Sequence, residues 1–258
     1  MGVGQGNGAG PAIWAVISTV FFDILRSHGF GALLTAPFSK HDVKIAGFGF
    51  VDDTDLIQTG LSREDYWDVA TKLQSAVRLW EVCTEVSGGC LVPNKSWWTL
   101  IDFTWDNGKW HYTQDMDDIH LSIKNSLGMD SELVQLASWE AQKMLGVWLA
   151  PDGNNKRQVE EMRKNAMEWG AKVRTGAIDR QDAWRAMNMT IMKTLEYPLV
   201  ALTLTEKECD HIMAPVLAGA LPRAGICRNI PRAVLYGDTE HQGLGVRNLY
   251  TTMELFQI

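Results

Sequence analysis

Apolar residues recur at helical spacing in two segments of the first half of the chain. The first segment starts after Pro11, which suits the first turn of a helix, and continues to Leu25. The second segment covers about residues 62–85. Its apolar face holds Tyr66, Val69, Leu73, Val77 and Trp80. We therefore predict two helices, and the first is apolar enough to be a buried core helix.

Short apolar runs on both sides of a polar turn predict a hairpin near residue 50. The predicted strands cover residues 45–50 and 54–58. Phe48, Phe50 and Val51 precede the turn and Ile57 follows it, and Val, Ile and Phe favour strands. Asp52 and Asp53 are expected at the turn between them. Asp55 is expected to face the core or to cap that turn.

Two further strand predictions follow downstream. The Asp106-Asn107-Gly108 turn predicts a hairpin, because Asn-Gly suits a tight two-residue turn. Residues 143–149 predict one short strand interrupted by Gly146. Four tryptophans in or near the Asn-Gly hairpin are expected to pack in the core and not to stack on bases: Trp97, Trp98, Trp105 and Trp110.

The second half of the chain is predicted to be helical. Proline, asparagine and glycine over residues 150–155 mark the turn at which strand gives way to helix. Three helices are predicted after it, over 159–173, 183–195 and 205–219. The last has Thr205 and Glu208 at the spacing of a capping box. The chain is therefore predicted to be an α+β protein, with a mixed domain over 1–150 and a helical domain over 151–258.

The adjacent carboxylates of Asp52 and Asp53 are the first candidate chemistry. Like charges a few ångströms apart are unfavourable unless a cation neutralises them, and oxygen ligands suit a divalent metal. An ordinary acidic hairpin turn is the alternative interpretation. A calcium loop of the EF-hand type is excluded, because Ile57 stands where its next ligand is required.

Two glycine-rich stretches are further candidates. Residues 4–11 hold four glycines before Pro11, which suits close approach of backbone to a ligand. The same stretch fits the looser dinucleotide-binding fingerprint, but that fingerprint needs a preceding strand and only three residues precede it. The second stretch, over 87–96, is a glycine turn that delivers Lys95 to the head of a strand.

The order and spacing of these motifs resemble the reverse transcriptases, most closely those of non-LTR (LINE-like) retrotransposons. Residues 4–11 are similar to motif B, 50–53 to the catalytic motif C, 88–95 to motif D and 145–146 to motif E. The tail over 221–246 is similar to the thumb region that follows the palm. The resemblance implies a partial polymerase palm, an antiparallel sheet packed on helices, over 1–150. It implies a helical, thumb-like or connection-like domain over 151–258.

The resemblance also implies an activity and its residues. The activity is RNA-directed DNA polymerisation, with nucleotidyl transfer to a primer 3′ hydroxyl by two Mg²⁺ ions. Asp52 and Asp53 would bind metal, and Lys95 would act near the leaving pyrophosphate. The nucleotide and template site would be lined by Gln5, Gly6, Gly8 and Pro11, and the primer grip would be Leu145 and Gly146. The partners would be an RNA template, a DNA primer and a deoxynucleoside triphosphate.

One departure from the family pattern changes the expectation. In palm polymerases another aspartate, on motif A, lies upstream of motif B, and the fingers precede the palm. This chain starts a few residues before its motif B glycines. We therefore expect the missing upstream fingers and palm segment of the same polyprotein to be a partner. The chain alone is expected to be inactive. The alternative is a non-catalytic nucleic-acid-binding or structural remnant of a retroelement.

Composition and charge refine this expectation. Hydrophobic residues make up 46% and charged residues 21% of the chain, as in a globular protein. The net charge of −7 argues against nucleic-acid binding, since phosphate contacts need Lys and Arg. However, residues 153–232 carry 13 Lys and Arg against 9 Asp and Glu, which leaves −11 on the remainder. We expect metal in the acidic part and duplex contact in 153–232.

The other residue types point to an intracellular protein, nuclear or cytoplasmic. Four cysteines and six histidines are scattered without Cys-x-x-Cys or His-x-x-x-His spacing. This pattern indicates free thiols and gives no support to a histidine metal site or a Cys-His nucleophile. Asp23 and Arg26 interrupt the apolar helix before the ~20 residues that a bilayer crossing requires. No membrane partner is therefore expected.

Overall fold

A computed structural model describes residues 10–50, 53–61, 64–113, 118–125 and 127–256. The fold is α+β, as predicted. The chain divides into two compact units, Met1–Ala137 and Ser138–Ile258. The division lies earlier than residue 150, because a hairpin over 142–149 packs with helices of the second unit.

The first unit holds two long helices and five strand pairs among the described residues. Its helices and strands in order are α1 (Gly10–Ser27), β1 (Ala32–Thr35), β2 (Asp42–Ile45), β3 (Gly47–Phe50), β4 (Asp53–Leu56), α2 (Tyr66–Val86), β5 (Trp97–Thr99), β6 (Phe103–Asp106), β7 (Lys109–Tyr112), β8 (Ser122–Lys124), β9 (Asp130–Glu132) and β10 (Val134–Leu136). Four pairs are antiparallel, and β5 with β10 is parallel. Among the described residues each sheet has two strands, so the antiparallel sheet that the resemblance implies is present as separate strand pairs.

Helix α1 starts with Pro11 in its first turn, as predicted, but it buries only one face. Phe21, Phe22 and Leu25 lie in the core, whereas Val16 and Val20 are more than half exposed. The prediction of a buried core helix is therefore wrong for the face that carries Val16 and Val20. In the described part of the chain, α1 alone is long and apolar enough to cross a membrane, a property that core helices of soluble proteins share.

Helix α2 begins four residues later than predicted because Asp65 caps it. The Asp65 carboxylate accepts a hydrogen bond from the backbone N–H of Asp68, and the Asp68 carboxylate accepts one from the N–H of Asp65. This reciprocal pair satisfies two backbone donors that have no partner inside the helix. Trp80 packs with Phe21 and Phe22 of α1 on one side of α2. Ala70 packs on another side with Trp98, Leu100, Ile119, Leu121, Ile123 and Leu133.

Polar side chains of α2 fix the β8–β9 hairpin. The Gln74 side chain donates to the carbonyl of Ser122 (2.9 Å) and accepts from its N–H (2.7 Å). The buried Glu81 carboxylate pairs with Arg78 at 2.9 Å and accepts from the N–H of Lys124. Arg78 also reaches Asp130 at 2.6 Å. These bonds fix the position of the hairpin along α2. They also pair the buried charge of Glu81, which would be costly to bury alone.

The Asn-Gly hairpin forms as β6 and β7, with Asn107 and Gly108 both at positive φ. The expectation that its tryptophans pack in the core is wrong for Trp105 and Trp110, which are more than half exposed. They lie opposite each other with ring centroids 5.0 Å apart. The two-stranded sheet has no second layer over that face in the described structure, so the rings cover each other. Trp98 is buried, as expected.

The second unit is mainly helical, as predicted. Its elements in order are β11 (Gln142–Met144), β12 (Val147–Leu149), α3 (Lys156–Thr175), α4 (Arg180–Arg185), a π-helical segment (Ala186–Ile191), α5 (Met192–Glu196), a 3₁₀ turn (Tyr197–Ala201), α6 (Glu206–Arg223), α7 (Arg232–Tyr236), a second 3₁₀ turn (Thr239–His241) and α8 (Leu249–Phe256). The predicted 183–195 helix is thus a longer run with a π-helical insertion. Its α-helical part ends before Pro198, as predicted.

Helix α6 is the centre of this unit. Its core residues include Ile212, Val216 and Leu221, each fully buried. Pro215 lacks an N–H, which leaves the carbonyl of His211 without its usual helical partner. Arg163 of α3 donates to that carbonyl at 2.9 Å. The helix interior therefore tolerates a proline because a side chain of the neighbouring helix takes the missing position.

We predict that Thr205→Ala lowers the free energy of unfolding of the second unit by about 1 kcal/mol at pH 7. Thr205 caps α6 through the predicted box: its hydroxyl accepts from the N–H of Glu208, and Glu208 accepts from the N–H of Thr205 at 2.8 Å. The Glu208 carboxylate accepts first from the N–H of Thr205 and then from the Thr205 hydroxyl, at 2.8 Å, and these two bonds lower the pKa of Glu208.

Because the folded-state pKa of Glu208 is lowered, its contribution is complete above its unfolded value of about 4.3 and is lost as the pH falls through the folded value. The cost of Thr205→Ala should therefore shrink between pH 7 and pH 3. Urea unfolding at both pH values, followed by amide exchange of α6, measures it. Thr194→Ala, at an exposed helical position, is the control. An equal cost at both pH values would contradict the prediction.

Candidate metal and nucleic-acid site

The β3–β4 hairpin presents aspartates and phenylalanines on the same exposed face. Its register pairs Phe48 with Asp55 and Phe50 with Asp53. Directly paired residues share one face of a sheet, and side chains alternate between faces. Both phenylalanines are more than half exposed, and both aspartates are exposed. This face carries two carboxylates beside two aromatic rings.

Glycines on the opposite face let the hairpin lie against α1. A Cβ at Gly47 would stand 2.2 Å from the carbonyl oxygen of Asp55 and 2.9 Å from the Phe22 ring. A Cβ at Gly49 would stand 3.3 Å from the same ring. The alternation Gly-Phe-Gly-Phe therefore turns the glycines toward Phe22 and the phenylalanines outward. Helix α1 in this way holds the aspartate face toward solvent.

The structure corrects two details of the predicted turn. Asp53 is the first residue of β4, opposite Phe50, and is not in the turn itself. Asp55 does not face the core but shares the exposed face with Asp53. Asp52 lies outside the described residues. The hairpin itself and its antiparallel pairing are confirmed.

The electrostatics of this face favour a cation. Partial burial of its carboxyl group, and then the negative charge of Asp53, raise the pKa of Asp55. No Lys or Arg within the described ranges forms an ion pair with Asp53 or Asp55. Repulsion between two carboxylates is relieved when a divalent cation binds them.

The donor set fits Mg²⁺ in part. Exposed carboxylates suit this ion, which keeps several water ligands and is held by one or two carboxylates. Among the residues that the structure describes, no group of three or more His, Cys, Asp or Glu side chains is arranged to hold a metal. Asp53, with Asp55 on the same face, is therefore the described part of a candidate site that Asp52 would extend.

Lys95 lies where the glycine turn was predicted to deliver it. After α2, Gly88 at φ +85 reverses the chain, and the 3₁₀ turn Pro93–Lys95 leads into β5. The Lys95 side chain is exposed, and within the described ranges it has no ion-pair partner. Its charge is thus available to an anionic ligand.

Most of the predicted nucleotide and template site is not described. Gln5, Gly6 and Gly8 lie outside the described residues. Pro11 is exposed in the first turn of α1, the helix that packs under the β3–β4 hairpin. Pro11, the described residue of this predicted site, is therefore connected to the β3–β4 hairpin through α1.

Leu145 and Gly146 form the turn between β11 and β12 in the second unit. The prediction of a single interrupted strand is wrong, because the pair reverses the chain and Met144 pairs with Val147. Both turn residues have positive φ, +49 and +87, as in the type I′ turns of tight hairpins. Leu145 is strained there by about 1–2 kcal/mol, since its Cβ approaches the following carbonyl. The Tyr197 hydroxyl donates to the Leu145 carbonyl at 2.6 Å.

A basic patch at the start of α3 was not predicted. Lys156 and Arg157 open this helix, the guanidinium of Arg157 lies 4.9 Å from the Trp148 ring centre, and exposed Trp139 is adjacent. Glu160 shares the pocket that these residues line and lies 3.6 Å from Arg157. The patch adds local positive charge to the region expected to touch nucleic acid.

Some features of the site could be predicted from the sequence and others could not. The alternation of glycine and phenylalanine over 47–50 indicates that Phe48 and Phe50 share one face of their strand, but only the register of the structure places that face beside Asp53 and Asp55. Tyr197 carries no such signal, because its hydrogen bond joins residues 52 positions apart.

Comparison with known proteins adds no family to this description. No model of a known protein family matches the chain, and no curated protein is found to be similar to it.

Proposed function

We propose that this chain is the palm and thumb portion of an RNA-directed DNA polymerase related to those of non-LTR retrotransposons. The observation that carries the proposal is the β3–β4 hairpin, whose exposed face presents Asp53 opposite Phe50. The order of the glycine-rich segment, this hairpin, the Lys95 turn and the Leu145–Gly146 turn supports it. The partners would be an RNA template, a DNA primer and a deoxynucleoside triphosphate.

The reaction would be transfer of a nucleotidyl group. The primer 3′ oxygen forms a bond to the α-phosphorus, the bond to pyrophosphate breaks, and the hydroxyl proton is lost to solvent. Bound Mg²⁺ would supply charge neutralisation at both oxygens. Asp52 and Asp53 would hold it by their carboxylates.

Lys95 would act on the leaving group. Its exposed ammonium offsets the charge that develops on pyrophosphate and can donate a proton to it. Phe48 and Phe50 would form an apolar floor beside the carboxylates. Such a floor excludes water from the metal and strengthens its attraction for phosphate.

A second candidate function is nucleic-acid binding without catalysis. The observation that favours it is the basic patch, in which Lys156 and Arg157 lie beside exposed Trp139. Nucleic-acid binding at this patch would not depend on a metal ion. Binding of duplex without Mg²⁺-dependent extension would distinguish it from the polymerase.

The test is primer extension on an RNA template by the full reading frame, by which we mean this chain joined to an upstream segment that bears fingers and a motif A aspartate. We expect extension that requires Mg²⁺ and stops with EDTA. In the same assay Lys95→Ala should slow extension by about 10²-fold without abolishing it, because loss of general acid help has that magnitude. Pre-steady-state incorporation of one nucleotide measures the chemical step.

Lys109→Ala is the control, because this lysine is exposed on the β6–β7 hairpin in the same unit. It should change the rate less than about twofold. If the protein binds duplex but extends no primer at any Mg²⁺ concentration, the polymerase proposal is refuted and the binding function is supported. Equal loss in both lysine variants would mean that Lys95 acts only through general surface charge.

A further inference from the structure

The Leu145–Gly146 turn is held from outside its own hairpin. The backbone of Leu145 is in the left-handed region, which is unfavourable for a residue other than glycine. Such a conformation persists only where surrounding contacts hold it. The Tyr197 hydroxyl donates to its carbonyl oxygen at 2.6 Å. A Cβ at Gly146 would stand 3.6 Å from Cε1 of Tyr197, so the ring lies along the turn.

Both ends of this contact are anchored in the same core. Val147, directly after the turn, is buried, and so are Pro198 and Leu199, directly after Tyr197. The Tyr197 side chain itself is 60% exposed. The phenol therefore contributes little to the core, while its position relative to the turn is fixed by buried neighbours.

Two cations pair with Glu196, the residue that precedes Tyr197. Lys193 precedes Tyr197 by one helical turn, and its ammonium lies 3.3 Å from the buried carboxylate of Glu196. Arg247 pairs with the same carboxylate at 2.6 Å. Both cations are about half exposed, so one carboxylate holds two positive groups at the surface beside Tyr197. Such a surface attracts a phosphodiester backbone.

We propose that Tyr197 is a positioning residue: its hydroxyl holds the Leu145–Gly146 turn in the left-handed conformation in which the turn binds the primer strand. The inference rests on the proposed function. It assigns no chemistry to Tyr197, because the phenol acts through the carbonyl of Leu145 and not on the reacting atoms.

Tyr197→Phe tests the inference, because it removes the hydroxyl and keeps the ring. In the full reading frame we expect the apparent KM for the primer–template duplex to rise about fivefold, as one lost hydrogen bond allows, with kcat within about twofold. Amide exchange should increase in the 142–149 segment and stay unchanged elsewhere. Tyr112→Phe is the matched control, since its hydroxyl makes no hydrogen bond within the described residues.

Leu145→Asn provides a rescue. Asparagine tolerates the left-handed region, and Asn-Gly is the preferred type I′ pair, so the turn should form without the phenol. In the Leu145→Asn background, Tyr197→Phe should raise KM less than about twofold. An undiminished effect in that background would overturn the inference.

The outcomes separate this inference from the proposed function. An unchanged KM in Tyr197→Phe, or faster exchange throughout the second unit, would overturn the role of Tyr197 while leaving the polymerase intact. No extension by the wild-type protein would overturn the proposed function and the primer-strand role with it. Exchange of the 142–149 segment would then still report whether the phenol holds the turn.

Discussion

Replacing Asp53 by asparagine in the full reading frame is expected to lower Mg²⁺-dependent primer extension by about 10³-fold or more. The amide keeps the shape of the side chain but cannot offset metal charge, and metal stabilises the transition state by several kcal/mol. Asp52→Asn should cause a loss of the same order, since both carboxylates would hold the same ions. Single-nucleotide incorporation at saturating Mg²⁺ measures the loss.

The control for this substitution is Asp106→Asn, an exposed strand aspartate in another hairpin of the same unit. It should change the rate less than about twofold. A second readout needs no activity: because the charge of Asp53 helps to raise the pKa of Asp55, Asp53→Asn should lower that pKa. Carboxyl chemical shifts followed against pH would show it. Full extension by Asp53→Asn would refute the proposed function.

The sequence predicts the elements that local chemistry determines. The Asn107-Gly108 turn, the capping box of Thr205 and Glu208, and the β3–β4 hairpin all depend on residues within a few positions of one another. For such elements the turn or cap residue and the alternation of side chains are sufficient evidence. Their existence was correct, and their ends shifted by a few residues.

The sequence does not predict what depends on the second layer of packing. The apolar composition of α1 predicted burial, yet only the face toward α2 and β3 is covered in the described structure. The tryptophans of the Asn-Gly hairpin were predicted to lie in the core, yet Trp105 and Trp110 share the uncovered face of a two-stranded sheet. The hydrophobicity of a residue shows that its burial would be favourable. It does not show whether another helix or strand packs over that residue.

The candidate site divides in the same way. Asp53 and Lys95 are found at a hairpin and after a glycine turn, where local patterns indicated them. Asp55 was expected to face the core or to cap the turn, but the strand register pairs it with Phe48 on the exposed face. A one-residue change in the assumed start of β4 is enough to reverse the side of every residue in the strand.

The glycines at the crossing of α3 and α6 give the largest expected effect on stability. A Cβ at Gly219 would stand 2.3 Å from the carbonyl oxygen of Gly170, and a Cβ at Gly170 would stand 2.3 Å from that of Pro215. In both cases the obstacle is backbone, which cannot rotate away as a side chain can. A methyl group on either glycine must therefore push the two helices apart.

We expect Gly170→Ala and Gly219→Ala each to lower the free energy of unfolding of the second unit by about 2–3 kcal/mol. Alanine alone would stabilise a helix by about 1 kcal/mol relative to glycine, so the sign of the change decides between propensity and packing. Forcing an extra methyl group into a packed contact typically costs about 1–3 kcal/mol. The resulting separation of the helices would also loosen the packing around the fully buried Ile212 and Val216.

Urea unfolding followed by amide exchange of α3 and α6 measures this loss. Ala171→Ser is the control, because it adds one atom at an exposed position of the same helix and should change stability by less than about 0.5 kcal/mol. The first unit should keep its exchange rates in both glycine variants. If either alanine variant were more stable than the wild-type protein, helix propensity would outweigh the contact, and the close crossing of α3 and α6 would be refuted.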